Sequence, residues 1–326
     1  MPAHGFAGHQ RCNGKQAKRL GMSRARIRES PHVSGFDDCS GQMGIRMNSE
    51  GMPFYPGTDE PPESRPARHL FSHHAPGECR ARRDLDARGY AYLPPETFAA
   101  RALDGAGEAE LQALRASWER LPADAYMNDG GLYRRRRHAV FAARGGEVWL
   151  LPYRPHFQSR AYNVLNGGIY RRYAEIEAGI IDNPVLQACL RATLDSLESG
   201  GAAACWFIEA HQFRIIARHG EEGRPTPEGV HRDGVERVFM ALMGRDNAGG
   251  GVSRIHASDG SLLEEICLSR PLEAMLVDDA AVRHGVTPIH VLDAAREGVR
   301  DMLVITARRN GAAADFHPQI EENQTP

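Results

Sequence analysis

The sequence predicts an α+β protein in which helices pack outside a double-sheet β-barrel. Three observations carry that expectation. Two amphipathic helical segments come first, at about residues 107–121 and 183–197. From about residue 204 the apolar runs turn short and β-rich, with Gly, Pro, Asp and Asn between them. Helices followed by strands make an α+β order, and the 326 residues, 41% hydrophobic, suffice for one large core or two modest ones.

Residues 1–78 have a different texture. They are rich in Gly, Pro, Ser, Arg and Met, and their sparse apolar residues show no period. Such a segment buries too little surface to offset its chain entropy, so a disordered N-terminal extension is expected. The first 28 residues are basic and acid-free, a composition shared with transit peptides. A start assigned too far upstream is the other reading, with Met22, Met43, Met47 and Met52 as alternatives. The folded domain is expected over 79–312, with order beginning near Asp84, and a flexible tail over 313–326.

Within that domain, "RDLDARGYAYLPPETF" predicts a short helix, a Gly turn and a strand stopped by Pro94 and Pro95. In "GEAELQALRASWERL", Leu111, Leu114, Trp118 and Leu121 share one helical face. In "NPVLQACLRATLDSL", Asn183 suits an N-cap and Pro184 the first turn. Both helices are core material. The strands expected afterwards are "CWFIEAHQFRII", "RVFMALMG", "GVSRIHA", "EAMLVDD", "HGVTPIHVL" and "DMLVITARR".

Bulk properties narrow the function. A net charge of −2 gives no broad attraction to nucleic acid or to a membrane surface, and no apolar stretch is long enough for a spanning helix. The six Cys form no CxxC pair, which points to reduced thiols in a cytoplasm. Oligomeric state is not legible.

The chemistry centres on "GVHRDGVERVFMAL". In an extended chain His231 and Asp233 point to one face. His284, at the start of a later β-run, is the natural third ligand. Two His and one carboxylate on one side of an octahedral metal leave three positions open, the facial triad of non-haem Fe(II) oxygenases. The spacing is equally compatible with a polar strand end and an Asp-Gly turn. A second feature favours the metal. Enzymes with this triad often use 2-oxoglutarate, whose distal carboxylate needs a buried cation, and Arg300 opens the last β-run with Arg308 at the same parity.

These residues resemble a known family. "VHRDGVERVFMALMGRDNAGGG", "LEAMLVDDAAVRHGVTPI" and "VRDMLVITA" are similar to the bacterial 2-oxoglutarate/Fe(II)-dependent dioxygenases that hydroxylate free L-amino acids, of the L-isoleucine dioxygenase type. "GYAYLPPETF", "YRRRRHAVF", "AYNVLNGG" and "EAHQFRI" extend the resemblance upstream in the same order, over roughly residues 84–309. It implies a double-stranded β-helix, the jelly-roll or cupin-like barrel, with flanking helices. It implies Fe(II) held by His231, Asp233 and His284, 2-oxoglutarate and O2 as co-substrates, and Arg300 on the 2-oxoglutarate carboxylate, with Thr287 as a further contact. The activity implied is hydroxylation of an unactivated C–H, coupled to conversion of 2-oxoglutarate into succinate and CO2. Related halogenases carry a small residue in place of Asp233, so hydroxylation is favoured.

A free amino acid presents a carboxylate, and Arg134, Arg136 and Arg214 are candidates to clamp it, with His211 lining the pocket. Alternation puts Arg134 and Arg136 on one face, although four consecutive Arg also suit a solvated edge strand. "DNAGGG" is expected to allow a sharp connection between strands, not to bind phosphate. Two other functions remain open: the same chemistry on a carrier-bound amino acid or small natural-product intermediate, and a metal- or ligand-binding barrel without turnover.

Overall fold

The computed structural model describes residues 67–73, 80–96, 107–197 and 204–309, together with a two-strand pair, Arg46–Met47 with Pro53–Phe54. Contacts divide the chain into two compact units, Met1–Thr58 and Asp59–Pro326. That short pair belongs to the first unit, and everything that follows concerns the second. The expectations for the rest of 1–66 and for the 313–326 tail lie outside the described residues.

In chain order the elements are β1 (Arg68–Ser72), α1 (Arg80–Arg88), β2 (Tyr90–Leu93), α2 (Glu108–Ala116), β3 (Arg134–Arg144) and β4 (Glu147–Leu150). Then come β5 (His156–Phe157), β6 (Tyr170–Arg171), α3 (Ala178–Ile181), α4 (Pro184–Asp195) and β7 (Cys205–Ala217). The remainder is all strand: β8 (Arg237–Asp246), β9 (Ala248–Gly250), β10 (Ser253–His256), β11 (Leu262–Ile266), β12 (Ala274–Asp278), β13 (Arg283–Val286), β14 (Ile289–Val291) and β15 (Gly298–Arg309). Eight strands form one antiparallel sheet in the order β1-β4-β3-β7-β15-β8-β12-β2. Smaller antiparallel groups are β11-β10-β13, β9-β14 and β5-β6.

The large sheet buries both faces differently. One face packs against the helices. Leu114, Trp118, Leu186 and Leu190 cluster there with Ile208, Ala210, Phe239, Leu303 and Ile305. The Trp118 indole N–H donates to the Phe213 carbonyl at 3.0 Å and ties the end of the α2 segment to β7. Asn183 caps α4 as expected, accepting from the Val185 N–H at 2.9 Å, with Pro184 at the first position. The opposite face meets the smaller sheet, where Val238, Met240, Leu242 and Met302 pack with Ile255 and Leu268.

Three sequence expectations change. Order begins before Asp84, because β1 pairs with β4 at the edge of the large sheet, with Phe71 buried. Five residues paired along one edge need no apolar period of their own, so composition hid them. The helices-then-strands order also changes, since β3 to β6 lie between the two amphipathic helices. The four-Arg run opens β3, which lies between β4 and β7 and is no edge strand. Arg134 and Arg136 are buried on the inner face while Arg135 is exposed, so the alternation holds and the solvated-edge reading does not.

Trp118 has no solvent exposure. Trp118→Ala is expected to cost roughly 3–5 kcal/mol through the cavity and the lost bond to Phe213. Urea unfolding checks this, as a lower midpoint at unchanged slope.

Candidate metal centre

His231 and His284 meet through an antiparallel bridge outside the regular strands. The His231 N–H donates to the His284 carbonyl at 2.9 Å, and the His284 N–H returns the bond at 3.0 Å. Their ring centroids lie 4.6 Å apart. Asp233 stands between them, Oδ1 3.4 Å from His231 Nε2 and Oδ2 3.4 Å from His284 Nε2. Ligand atoms of all three lie within 4.8 Å of one another.

The convergence of His231 and Asp233 is not that of a strand. β8 begins only at Arg237, and Gly234 sits in the left-handed region at φ +79°. A Cβ there would fall 2.5 Å from the Tyr162 ring. The turn is shaped instead by Asp279, a nearly unexposed residue absent from the sequence candidates. Its carboxylate accepts the backbone N–H of Asp233 at 3.0 Å, Gly234 at 2.7 Å and Val235 at 3.3 Å. This aims Asp233 at the two imidazoles. Gln158 adds a side-chain donor, 3.2 Å from Asp233 Oδ1. The Asp-Asp pair in "LVDDAA" was the one signal for Asp279; Gln158 left none.

Electrostatics match a cation site. Burial opposes charge on Asp233, but hydrogen bonds from both imidazoles hold its carboxyl well below the ordinary range. Burial also works against a charged His231, and Asp233 outweighs it, pushing the imidazole up to about 9. His231 Nδ1 donates to the Gly229 carbonyl at 3.0 Å, which turns Nε2 toward Asp233. Two imidazole nitrogens and a carboxylate on one side suit Fe(II) with open positions opposite.

Arg300 is the second fixed point. It lies on the inner face of β15, 2% exposed, and its Nε and Nη2 are buried without a hydrogen-bond partner among the described residues. Burial, with Arg245 beside it, pushes this guanidinium down to about 10. An unpaired buried guanidinium is costly, and an anion placed against it would offset that cost. Gly251, at φ +68°, lies against it; a Cβ there would come within 3.0 Å of Arg300 Cδ. Gly251 of "DNAGGG" thus lets the chain pass close over the cation. Thr287 is tied to the residue after Gly251, its hydroxyl accepting the Val252 N–H at 2.9 Å.

Arg214 is not in this interior. It faces outward across the sheet from Asp301 and is held by two bonds to Asp301 (2.7 and 2.8 Å) and two to Glu119 (2.7 and 2.6 Å). Strand parity decides it, since Arg214 and His211 are odd steps apart. Arg308 keeps the parity of Arg300 but lies near the exposed strand end, over Phe207.

Arg134, Arg136 and His211 do come together. Arg134 Nε donates to the buried Asp124 at 2.7 Å. The Arg136 guanidinium is stacked between Tyr173 (3.6 Å) and Phe213 (4.4 Å) and donates to His211 Nδ1 at 2.9 Å. His211 belongs to a second group of possible metal ligands with His138, His156 and Glu209. His138 Nε2 and His156 Nδ1 each lie 2.9 Å from Glu209 Oε1. Sequence reasoning missed these three because their only common feature is inward parity on β3 and β7 and a visit from β5.

Comparison with known proteins shows what the chain as a whole is similar to. Residues 115–306 match the family model described as 2OG-Fe dioxygenase. The chain is 26% identical to the 3(1)-hydroxy-L-isoleucine 4-dioxygenase of Pantoea ananatis, over 69% of this chain and 94% of the relative. It is 30% identical to the L-isoleucine-4-hydroxylase of Bacillus thuringiensis over 46% of this chain and 64% of the relative. Among solved structures, a bsmA homologue from Methylobium petroleophilum is similar at a TM-score of 0.62 and 34% identity, covering 71% of this chain and 92% of that one. IDO from Bacillus thuringiensis has the same fold, with a TM-score of 0.60 at 22% identity, covering 71% and 98%. With more than half its length matched, this chain belongs to the 2OG-Fe dioxygenase family.

Proposed function

We propose that this protein hydroxylates an unactivated C–H of a free L-amino acid, using Fe(II), 2-oxoglutarate and O2 and releasing succinate and CO2. One observation carries the reading: a His-Asp-His centre and an unpartnered buried arginine occur in a chain of the 2OG-Fe dioxygenase family. The residues fit the cofactor. His231, Asp233 and His284 would hold the iron, and Arg300 would take the distal carboxylate of 2-oxoglutarate, with Thr287 beside it. When bound, the iron and its co-substrate supply the oxidising power that breaks the C–H bond.

The protein's own part is orientation and exclusion of water. Asp279 and Gln158 hold Asp233 in place, and the Gly229 carbonyl fixes the His231 tautomer. Asp233 keeps a carboxylate where halide-using relatives need space, which favours hydroxylation. Apolar Met240, Leu242, Met302 and Val304 line the inner face near the arginines. Arg134 and Arg136 carry one positive charge beyond Asp124, and they are the seat for the substrate carboxylate, with His211 bonded to Arg136. The large and small sheets form the two halves of a double-stranded β-helix in this reading. The relatives named for L-isoleucine chemistry support a free amino acid as substrate. Free thiols at Cys189, Cys205 and Cys267 suit a cytoplasmic setting, and no described helix is long and apolar enough to cross a membrane.

Free amino acids incubated with Fe(II), ascorbate and 2-oxoglutarate should include one that gains a single oxygen by mass spectrometry, with matching succinate. His231→Ala and Asp233→Ala are each expected to lose iron from the purified protein and at least 100-fold in coupled succinate formation. Full activity in either variant sinks the assignment. Arg300→Ala should raise the 2-oxoglutarate KM by at least tenfold. Arg214→Ala should leave that KM alone and cost roughly 3–5 kcal/mol of stability, because it strands the buried Asp301.

A further inference from the structure

On the inner face of the large sheet, residues opposite one another line up in rows. Arg134, Ile215 and Arg300 form one row, and Arg136, Phe213 and Met302 the next. His138, His211 and Val304 follow, then Val140, Glu209 and Thr306. Rows on one face are about 7 Å apart. The cationic rows thus give way to a lone carboxylate, with the two stacked imidazoles of His138 and His211 between them, 4.8 Å apart.

Among the described residues Glu209 meets no arginine or lysine, only the imidazoles of His138 and His156. Its strand neighbours in the row are Val140 and Thr306, and its side chain is 10% exposed. Burial opposes its ionisation, but His156 and His138 outweigh it and hold the carboxyl well below the ordinary range. Burial pushes His156 down to about 4 against the pull of Glu209. Both imidazoles bond to Oε1, and Oε2 takes no hydrogen bond from any described residue. One carboxylate oxygen is thus held by two imidazoles and the other is left open toward the interior, where a cationic donor would meet it.

A divalent metal fits that role poorly. His211 Nδ1 accepts from Arg136, so its other nitrogen carries the proton and offers no lone pair. The metal would also stand beside a buried guanidinium. A singly charged group with N–H donors has neither difficulty.

We propose that Glu209, braced by His138 and His156, is the seat of the substrate's α-ammonium group. This rests on the free amino acid as substrate. The two ends of a zwitterion then match the interior charge for charge: ammonium on Glu209, carboxylate on Arg136, whose guanidinium reaches His211 in the same cluster. His138 and His156 are positioning residues that hold Oε1 and leave Oε2 to the substrate. His156 is two residues before Gln158, whose amide reaches Asp233, so one short segment touches both the ammonium seat and the metal centre.

The test compares an accepted amino acid with its des-amino carboxylic acid in wild type and Glu209→Gln, which keeps shape and removes charge. The variant should raise the amino acid's KM roughly 10- to 100-fold, the worth of a hydrogen bond to a charged group. It should leave the KM of the des-amino acid unchanged, and iron should stay at one equivalent per chain in both proteins. Wild type alone should prefer the amino acid over its des-amino and N-acetyl forms by a similar factor, a comparison that needs no variant to fold. Equal loss on both substrates, or no loss on the amino acid, overturns the seat while leaving the hydroxylase reading intact. A second metal equivalent that vanishes in Glu209→Gln overturns it in favour of a metal site. If wild type turns over no amino acid at all, the substrate class and the seat fall together.

Discussion

The paired backbone hydrogen bonds between His231 and His284 join two segments that are distant in sequence. They bring two imidazoles side by side, and Asp233 has meaning only against that pair. The bridge in turn needs the Asp279 carboxylate. It folds residues 233–235 onto itself through three backbone N–H groups, so that the chain can leave the bridge and enter β8 with Asp233 still facing inward. Without that cradle the three backbone N–H groups of the turn would lose their shared acceptor.

The distribution of buried charge separates scaffold from site. On the outer face of the sheet, Arg214 is saturated by Asp301 and Glu119, and the group serves packing. On the inner face the accounts are left open. Among the described residues, Arg300 has two unpartnered nitrogens, the Arg134–Arg136 pair exceeds Asp124 by one charge, and Glu209 has one oxygen that takes no hydrogen bond. Open charge in an interior is unfavourable for the empty fold. Its recurrence along successive rows of one face is what the proposed ligands would answer: a dicarboxylate at one end, a zwitterion in the middle, a metal against them.

Much of the fold was legible before any coordinates. The α2 and α4 helices have strong amphipathic periods, and α4 has its Asn-Pro start, because helices announce themselves locally. The β-runs after residue 204 appeared where expected. The edge strand β1 did not, since pairing with β4 stabilises it from outside its own sequence. The four-Arg run misled for a related reason. Charge normally marks an edge, and only its central place in the sheet shows that two of those arginines are interior. At the site, alternation correctly set Arg134 with Arg136. It also could have excluded Arg214, which has the opposite parity to His211 on β7.

What the sequence determined by itself was chemistry tied to order: His231, Asp233, His284 and Arg300 in motifs that resemble a family, with strands to carry them. Those features depend on residue type and local spacing, which one chain displays directly. What only the tertiary structure decided was who meets whom. Asp279 under the Asp233 turn, Gln158 on the Asp233 carboxylate, and Glu209 between His138 and His156 are contacts between segments from 45 to 75 residues apart. No local pattern encodes such pairs, because sheet register and loop closure fix them only when the whole interior has packed.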